Sequence, residues 1–192
     1  MKKTILILIT IFTISLGYSQ DSKAYLGISL GVAIPGGDAG EDLKTGIDLG
    51  FINFGYRFTE NWGATLNLVS SGHIVKESDD EAAVGIGYWG IGPMYTASIS
   101  DNISWDFKPQ FALGLKAVEV EDGYADENMK GNGFVLGNSF VFGSTKGFKF
   151  SLNLDYLFGK ITESEYEGVT YKIDDKNGFS KLSIGAGLRY NF

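Results

Sequence analysis

Residues 180–192 read SKLSIGAGLRYNF. Leu182, Ile184, Ala186, Leu188, Tyr190 and Phe192 take every second position, with Lys181, Ser183, Gly185, Gly187, Arg189 and Asn191 between them. Successive side chains of a strand point to opposite faces, so this stretch predicts a strand with one apolar face and one small or charged face. It finishes on an aromatic residue. Chain ends usually fray, and a soluble domain rarely finishes on a bare apolar strand. In a closed barrel the final strand pairs with the first and leaves no edge. The alternation therefore predicts a barrel closed by this segment.

The 192 residues include 27 glycines, 14% aromatics and only three prolines. That mix suits many strands, tight turns and an aromatic girdle. The sequence has no cysteine, which excludes a disulfide framework, a thiolate metal site and a Cys nucleophile. At the N-terminus, Lys2 and Lys3 precede an apolar run from Thr4 to Leu16 and a polar exit of Gly17, Tyr18, Ser19 and Gln20. This predicts a secretory signal over residues 1–20. The run is too short to cross a bilayer as a helix, which weighs against the alternative of an uncleaved anchor. Cleavage after Gln20 leaves one domain, residues 21–192, and the loss of two lysines takes the formal charge from −7 to −9. No later stretch is apolar for long enough to make a transmembrane helix, so a membrane crossing here needs strands.

Seven further strands are predicted upstream, over residues 24–35, 45–58, 62–74, 84–99, 103–118, 133–143 and 148–161. In the fifth, Trp105, Phe107, Phe111, Leu113, Leu115 and Ala117 alternate with Asp106, Lys108, Gln110, Gly114 and Lys116. In the second, Ile47, Leu49 and Phe51 run on one phase and Ile52, Phe54, Tyr56 and Phe58 on the other, which predicts a β-bulge near Phe51. In the fourth, Val84, Ile86 and Tyr88 oppose the phase of Trp89, Ile91 and Tyr95, so a second irregularity is expected near Tyr88. Pro93 in the same strand cannot donate to a ladder and marks a weak place in it. The connections alternate between short (59–61, 100–102, 144–147) and long (36–44, 75–83, 119–132, 162–177). The pattern is an all-β fold, an eight-stranded antiparallel up-and-down transmembrane β-barrel.

Alternation alone also fits a soluble barrel with its apolar face inward. The membrane form is favoured because the polar face is rich in glycine, as a narrow lumen needs. The apolar faces of the fifth and seventh strands are also too bulky to converge inside one small barrel. With the apolar face outward, Arg57, Asp106, Lys108, Lys116, Lys149, Asp155, Lys181 and Arg189 point into the lumen. Charges in a narrow lumen must pair or stay hydrated. Eight strands leave an interior just wide enough for side chains, so we read these charges as a plugging network, with a conduit as the other reading. Trp62, Trp89, Trp105, Tyr156, Tyr190 and Phe192 read as interfacial aromatic anchors. The four long loops hold 17 of the 23 acidic residues and 5 of the 16 basic ones, so the negative charge is concentrated there.

No catalytic or metal-ligating motif stands out. His73, the single histidine, sits near Ser70, Ser71, Asp79 and Asp80 at the outer end of the third strand, where a solvated rim histidine is the plain reading. The run from Glu77 to Glu81 and the pairs Glu121/Asp122 and Asp174/Asp175 lack calcium-loop spacing. No cofactor, metal or nucleic-acid partner is expected.

The signal at residues 1–20, the strand–loop alternation and the terminal LSIGAGLRYNF together resemble the eight-stranded outer-membrane β-barrel domain proteins of Gram-negative bacteria. That broad family includes porin-like and opacity-type barrels. The resemblance implies a place in the outer membrane, both mature termini on the periplasmic side and the long loops outside. It implies contact with outer-membrane lipid and lipopolysaccharide, and recognition of residues 182–192 by the barrel assembly machinery. It carries over no catalytic residue. A structural or surface-interaction role is the first expectation. A channel for small or apolar solutes is the second, through the barrel or through a lateral opening marked by Pro93 and the phase break near Tyr88, and a rim enzyme using His73 is the third.

Overall fold

In the computed structural model the chain is described over residues 23–76, 82–120, 127–144, 146–166, 168–173 and 178–192. The expected signal lies outside these residues. The elements are β1 (Ala24–Gly37), α1 (Ala39–Asp42), β2 (Gly46–Arg57), β3 (Trp62–Ile74), β4 (Ala83–Ser100), β5 (Ile103–Val120), β6 (Glu127–Phe142), β7 (Gly147–Tyr166), β8 (Val169–Lys172) and β9 (Gly178–Asn191). The sheet runs β6-β5-β4-β3-β2-β1-β9-β7, and β6 also pairs with β7, so eight strands close into a ring. All these pairings are antiparallel. The closing contact is β1 against β9, from Tyr25↔Asn191 to Gly37↔Phe179. Short β8 is an extra ribbon on the far part of β7.

The apolar face points outward. Ile28 and Leu30 are 62% and 61% exposed, while Lys181 and Asp106 are each 1% exposed. Leu152, Ile184, Phe111 and Phe148 continue the exposed band around the ring. Soluble monomers rarely expose contiguous apolar patches beyond a few hundred Å². A band that circles the molecule is the lipid-facing surface of a membrane barrel, which rules out the soluble alternative.

Bulges set the phase of β2 and β5. In β2 the register shifts between Gly50 and Ile52, and Phe51 is the extra residue. This is the bulge expected from the sequence. The irregularity expected near Tyr88 exists, but it belongs to the partner strand. The β4 strand keeps one phase throughout, and Tyr88 lies opposite the two residues Gly114 and Leu115 of β5. Gly114 has φ +58°, the left-handed conformation of a glycine bulge. Beyond it the faces of β5 exchange: Leu115 is 1% and Ala117 5% exposed, and Lys116 points out. The sequence reading, which kept a single phase through the strand, had placed all three on the opposite faces.

The strands also outrun their apolar alternation. The β6 strand begins at Glu127 and β7 continues to Tyr166, into segments expected as loops. Beyond the lipid both faces of a strand meet water, so the hydrophobic period stops while the hydrogen-bonded ladder continues. Lys130 to Glu165 (3.2 Å) spans this extension, and Ser164 donates to Glu127 there. At Pro93, pairing with β5 skips from Ile91↔Phe111 to Tyr95↔Phe107, because Pro93 faces Pro109 and neither has an N–H. The strands still touch: a Cβ on Gly92 would lie 2.0 Å from the Pro109 carbonyl oxygen. The backbone forms no slit at this point.

Candidate functional site

Inward side chains form three polar tiers and one apolar tier along the barrel. Nearest the short turns, Arg189 on β9 donates through Nη1 to Asp106 on β5. The other Asp106 oxygen accepts from the Thr96 hydroxyl at 2.7 Å. The Arg189 guanidinium stacks 4.2 Å from the Tyr25 ring centroid, and the Tyr25 hydroxyl reaches Met94 Sδ at 3.6 Å. These contacts cross the lumen, since β5 and β9 are separated by β6 and β7 on the shorter way round the ring. Arg57 and Lys149 share the inward phase here and are half-buried.

In the middle tier, Asn67 donates to Gln110 (3.3 Å), and Gln110 donates to Thr65 (3.4 Å). Lys108 donates to the Ser139 hydroxyl, which donates to Asn153, both at 2.7 Å. Asp155 accepts from the Asn138 backbone N–H at 3.2 Å. A cavity of about 10 Å³ bordered by Lys108, Ser139, Asn153 and Arg189 separates these two tiers. That is about the space of one water.

The third tier is built on Lys181. Its ammonium donates to Asp48 (2.7 Å) and Ser71 (3.1 Å) and lies 5.5 Å from the Tyr88 ring centroid. Ser183 also donates to Asp48, at 3.0 Å. His73 belongs to this tier and not to a solvated rim. It is 2% exposed, with Nε2 3.1 Å from Ser71 Oγ and Nδ1 3.0 Å from the Lys44 carbonyl oxygen. Both ring nitrogens are therefore engaged by partners inside the barrel. Asp79, Asp80 and the acidic runs at 77–81, 121–122 and 174–175 lie outside the described residues. Among the described residues no group of three or more His, Asp or Glu side chains is placed to hold a metal ion.

Seven of the eight expected lumen charges point inward. Lys116 does not, because the Gly114 bulge turns it to the outer surface. Asp48 was missed, although it alternates with Ile47, Leu49 and Phe51 ahead of the bulge and so belongs to the inward face. The neutral partners Thr65, Asn67, Thr96, Gln110 and Ser139 were also missed. They carry no charge to single them out, and their pairing is visible only across the ring.

The anchor residues all lie on the outer face or its end. Trp62, Trp105, Tyr190 and Phe192 gather at the short-turn end. There Trp62–Tyr95 (5.0 Å), Phe148–Tyr190 (5.1 Å) and Tyr190–Phe192 (5.9 Å) form successive ring contacts. The Trp105 indole donates to the Asn138 side-chain oxygen at 3.2 Å, giving that outward amide oxygen a partner. Trp89 and Tyr156 lie inside the ladder, each paired with leucines: Leu68 and Leu113 for Trp89, Leu136 and Leu182 for Tyr156.

Above the Lys181 tier the lumen turns apolar. Val84, Ile86, Leu115, Ala117 and Leu157 point inward and are at most 6% exposed. The first long connection folds over them. Leu43, after α1, packs into this cluster, and its bridge to Val75 and the Lys76 Nζ bond to the Gly40 carbonyl (2.6 Å) hold the turn down. The sequence had shown residues 36–44 only as one of the long, acid-rich connections.

Solved structures share this architecture. Neisserial surface protein A aligns with a TM-score of 0.63 at 15% identity, over 91% of this chain and 100% of that one. Ail, the attachment invasion locus protein of Yersinia pestis, aligns at 0.51 and 16% identity, over 89% and 100%. The outer membrane protein OprG from Pseudomonas aeruginosa aligns at 0.50 and 12% identity, over 90% and 98%. No protein-family model and no curated protein matches the sequence. At such identities the likeness is one of fold. With its circling apolar band and closed ring, this chain is an eight-stranded transmembrane barrel with the fold of the small outer-membrane β-barrels.

Proposed function

We propose that this protein is an outer-membrane barrel closed along its axis by its own side chains, with a structural or surface-interaction role. The observation that carries the reading is the Arg189–Asp106 pair, buried on both sides and spanning the lumen. The Lys181–Asp48 pair above it and the cavity of only about 10 Å³ between them support the same reading. Hydrated ions need far more room than that. In this reading both mature termini are periplasmic and the long, acidic connections face outside. Outer-membrane lipid and lipopolysaccharide surround the band, and residues 182–192 are what the assembly machinery reads. No enzymatic role is assigned, since His73 is buried and held by Ser71 and the Lys44 carbonyl.

Single-channel conductance of the refolded barrel in a planar bilayer tests this. The wild-type barrel is expected to be silent, and Asp106→Ala/Arg189→Ala to conduct. Steady conductance by a folded wild-type barrel would overturn the reading and make the inward charges a selectivity lining.

A further inference from the structure

At the long-connection end, a cavity of about 450 Å³ opens above the Lys181 tier. Its floor and walls include Val84, Ile86, Ala117, Ile161 and Phe179, with Leu43 of the folded-down connection on one side. The size is that of a small-molecule pocket. Filled with water, it would hold most of its molecules against hydrocarbon walls. Water so placed is readily displaced by an apolar body.

The polar lining is of one sign. Asp38, Asp42 and Glu119 border the cavity, and no lysine or arginine among the described residues does. Of the nearby cations, Lys181 is held below by Asp48 and Ser71, Lys76 reaches the Gly40 carbonyl, and Lys130 pairs with Glu165. Lys116 is turned to the outer surface by the Gly114 bulge. A ligand that fills this space meets hydrocarbon on its body and carboxylates at its exposed end.

We propose that the mouth cavity binds a small amphiphilic cation, a compact apolar group carrying one ammonium, with the ammonium beside Asp38 and Asp42. Three isosteres separate the two contributions: 4-phenylbutylammonium, 4-phenylbutan-1-ol and 4-phenylbutyrate share one apolar body and differ in charge. Binding is measured by equilibrium dialysis against the protein in zwitterionic nanodiscs, with empty nanodiscs as the blank for lipid partition. Heat-modifiable gel migration shows that each variant is folded.

The ammonium is expected to bind at least tenfold more tightly than the carboxylate, about 1.4 kcal/mol. Asp38→Asn/Asp42→Asn should bring it within threefold of the alcohol without moving the alcohol. Ala117→Phe fills the cavity and should abolish binding of both. Val84→Phe, on the neighbouring strand, is a second filler should the first not fold. No binding above the blank by a folded wild-type barrel overturns the proposal. So does binding that survives both fillers, or a cation preference that survives the double Asn variant. Conductance does not enter these readouts, so this proposal and the closed-lumen reading stand or fall separately.

Discussion

Replacing Asp106 by Ala strands the Arg189 charge inside the barrel. Asp106 is 1% exposed and Arg189 8%, so bulk water cannot take over from the lost carboxylate. Breaking one side of a buried pair costs about 3–5 kcal/mol, because the remaining ion is uncompensated. The Thr96 hydroxyl also loses its acceptor, a further ~1 kcal/mol. Tyr25, 4.2 Å from the guanidinium, offsets only a part of that. Asp106→Ala should therefore lose about 3–5 kcal/mol. The double variant Asp106→Leu/Arg189→Met removes both charges and should lie within about 2 kcal/mol of wild type, since apolar replacements of a buried pair are often neutral. The assay is reversible urea unfolding of the vesicle-inserted barrel, followed by tryptophan fluorescence and gel mobility, and arranged as a double-mutant cycle. A loss below about 1 kcal/mol for Asp106→Ala, with additive singles, would refute the reasoning. It would mean that Arg189 stays hydrated and the lumen is wet.

The same geometry sets the outcome of four further substitutions. Ile184→Arg, on the lipid face, should cost about 2–4 kcal/mol in vesicles, whereas Lys116→Ala should change stability by no more than about 0.5 kcal/mol; a large Lys116 effect would put that side chain back in the lumen. Gly114→Val should cost about 1–2 kcal/mol by urea unfolding from the left-handed backbone alone, since a Cβ there meets nothing within 4 Å. His73→Ala should lose about 1–3 kcal/mol in the same titration, through the partners it leaves unsatisfied in a buried site; an unchanged midpoint would mean a solvated rim histidine.

The architecture was legible because lipid imposes a local rule. Outward side chains of a spanning strand are predominantly apolar, so Leu182, Ile184, Ala186 and Leu188 declare their face without reference to any other strand. The bulge at Phe51 was legible for the same reason, since both halves of β2 carry enough large residues to show two phases. The Gly114 bulge was not. Leu115 and Ala117 are apolar and small enough to suit either face, and an apolar residue turned into the lumen looks in sequence like one turned to lipid. The misplacement of Lys116 and the hidden mouth cavity both come from that ambiguity.

The alternating strands, the hairpin order and the outward apolar band follow from the chain alone, because each depends on the two-residue period of a strand and the solvent it crosses. Which inward groups meet is set by the closed ring. Asp106 and Arg189 stand 83 residues apart and Asp48 and Lys181 133 apart. Their contact is fixed by how the ring staggers as β1 closes on β9. Likewise, the apolar mouth exists only because β4, β5 and β7 bring Val84, Ala117 and Ile161 around one opening and the turn after β1 folds over it. Register along a strand is local chemistry, whereas proximity across a lumen is a property of the closed ring.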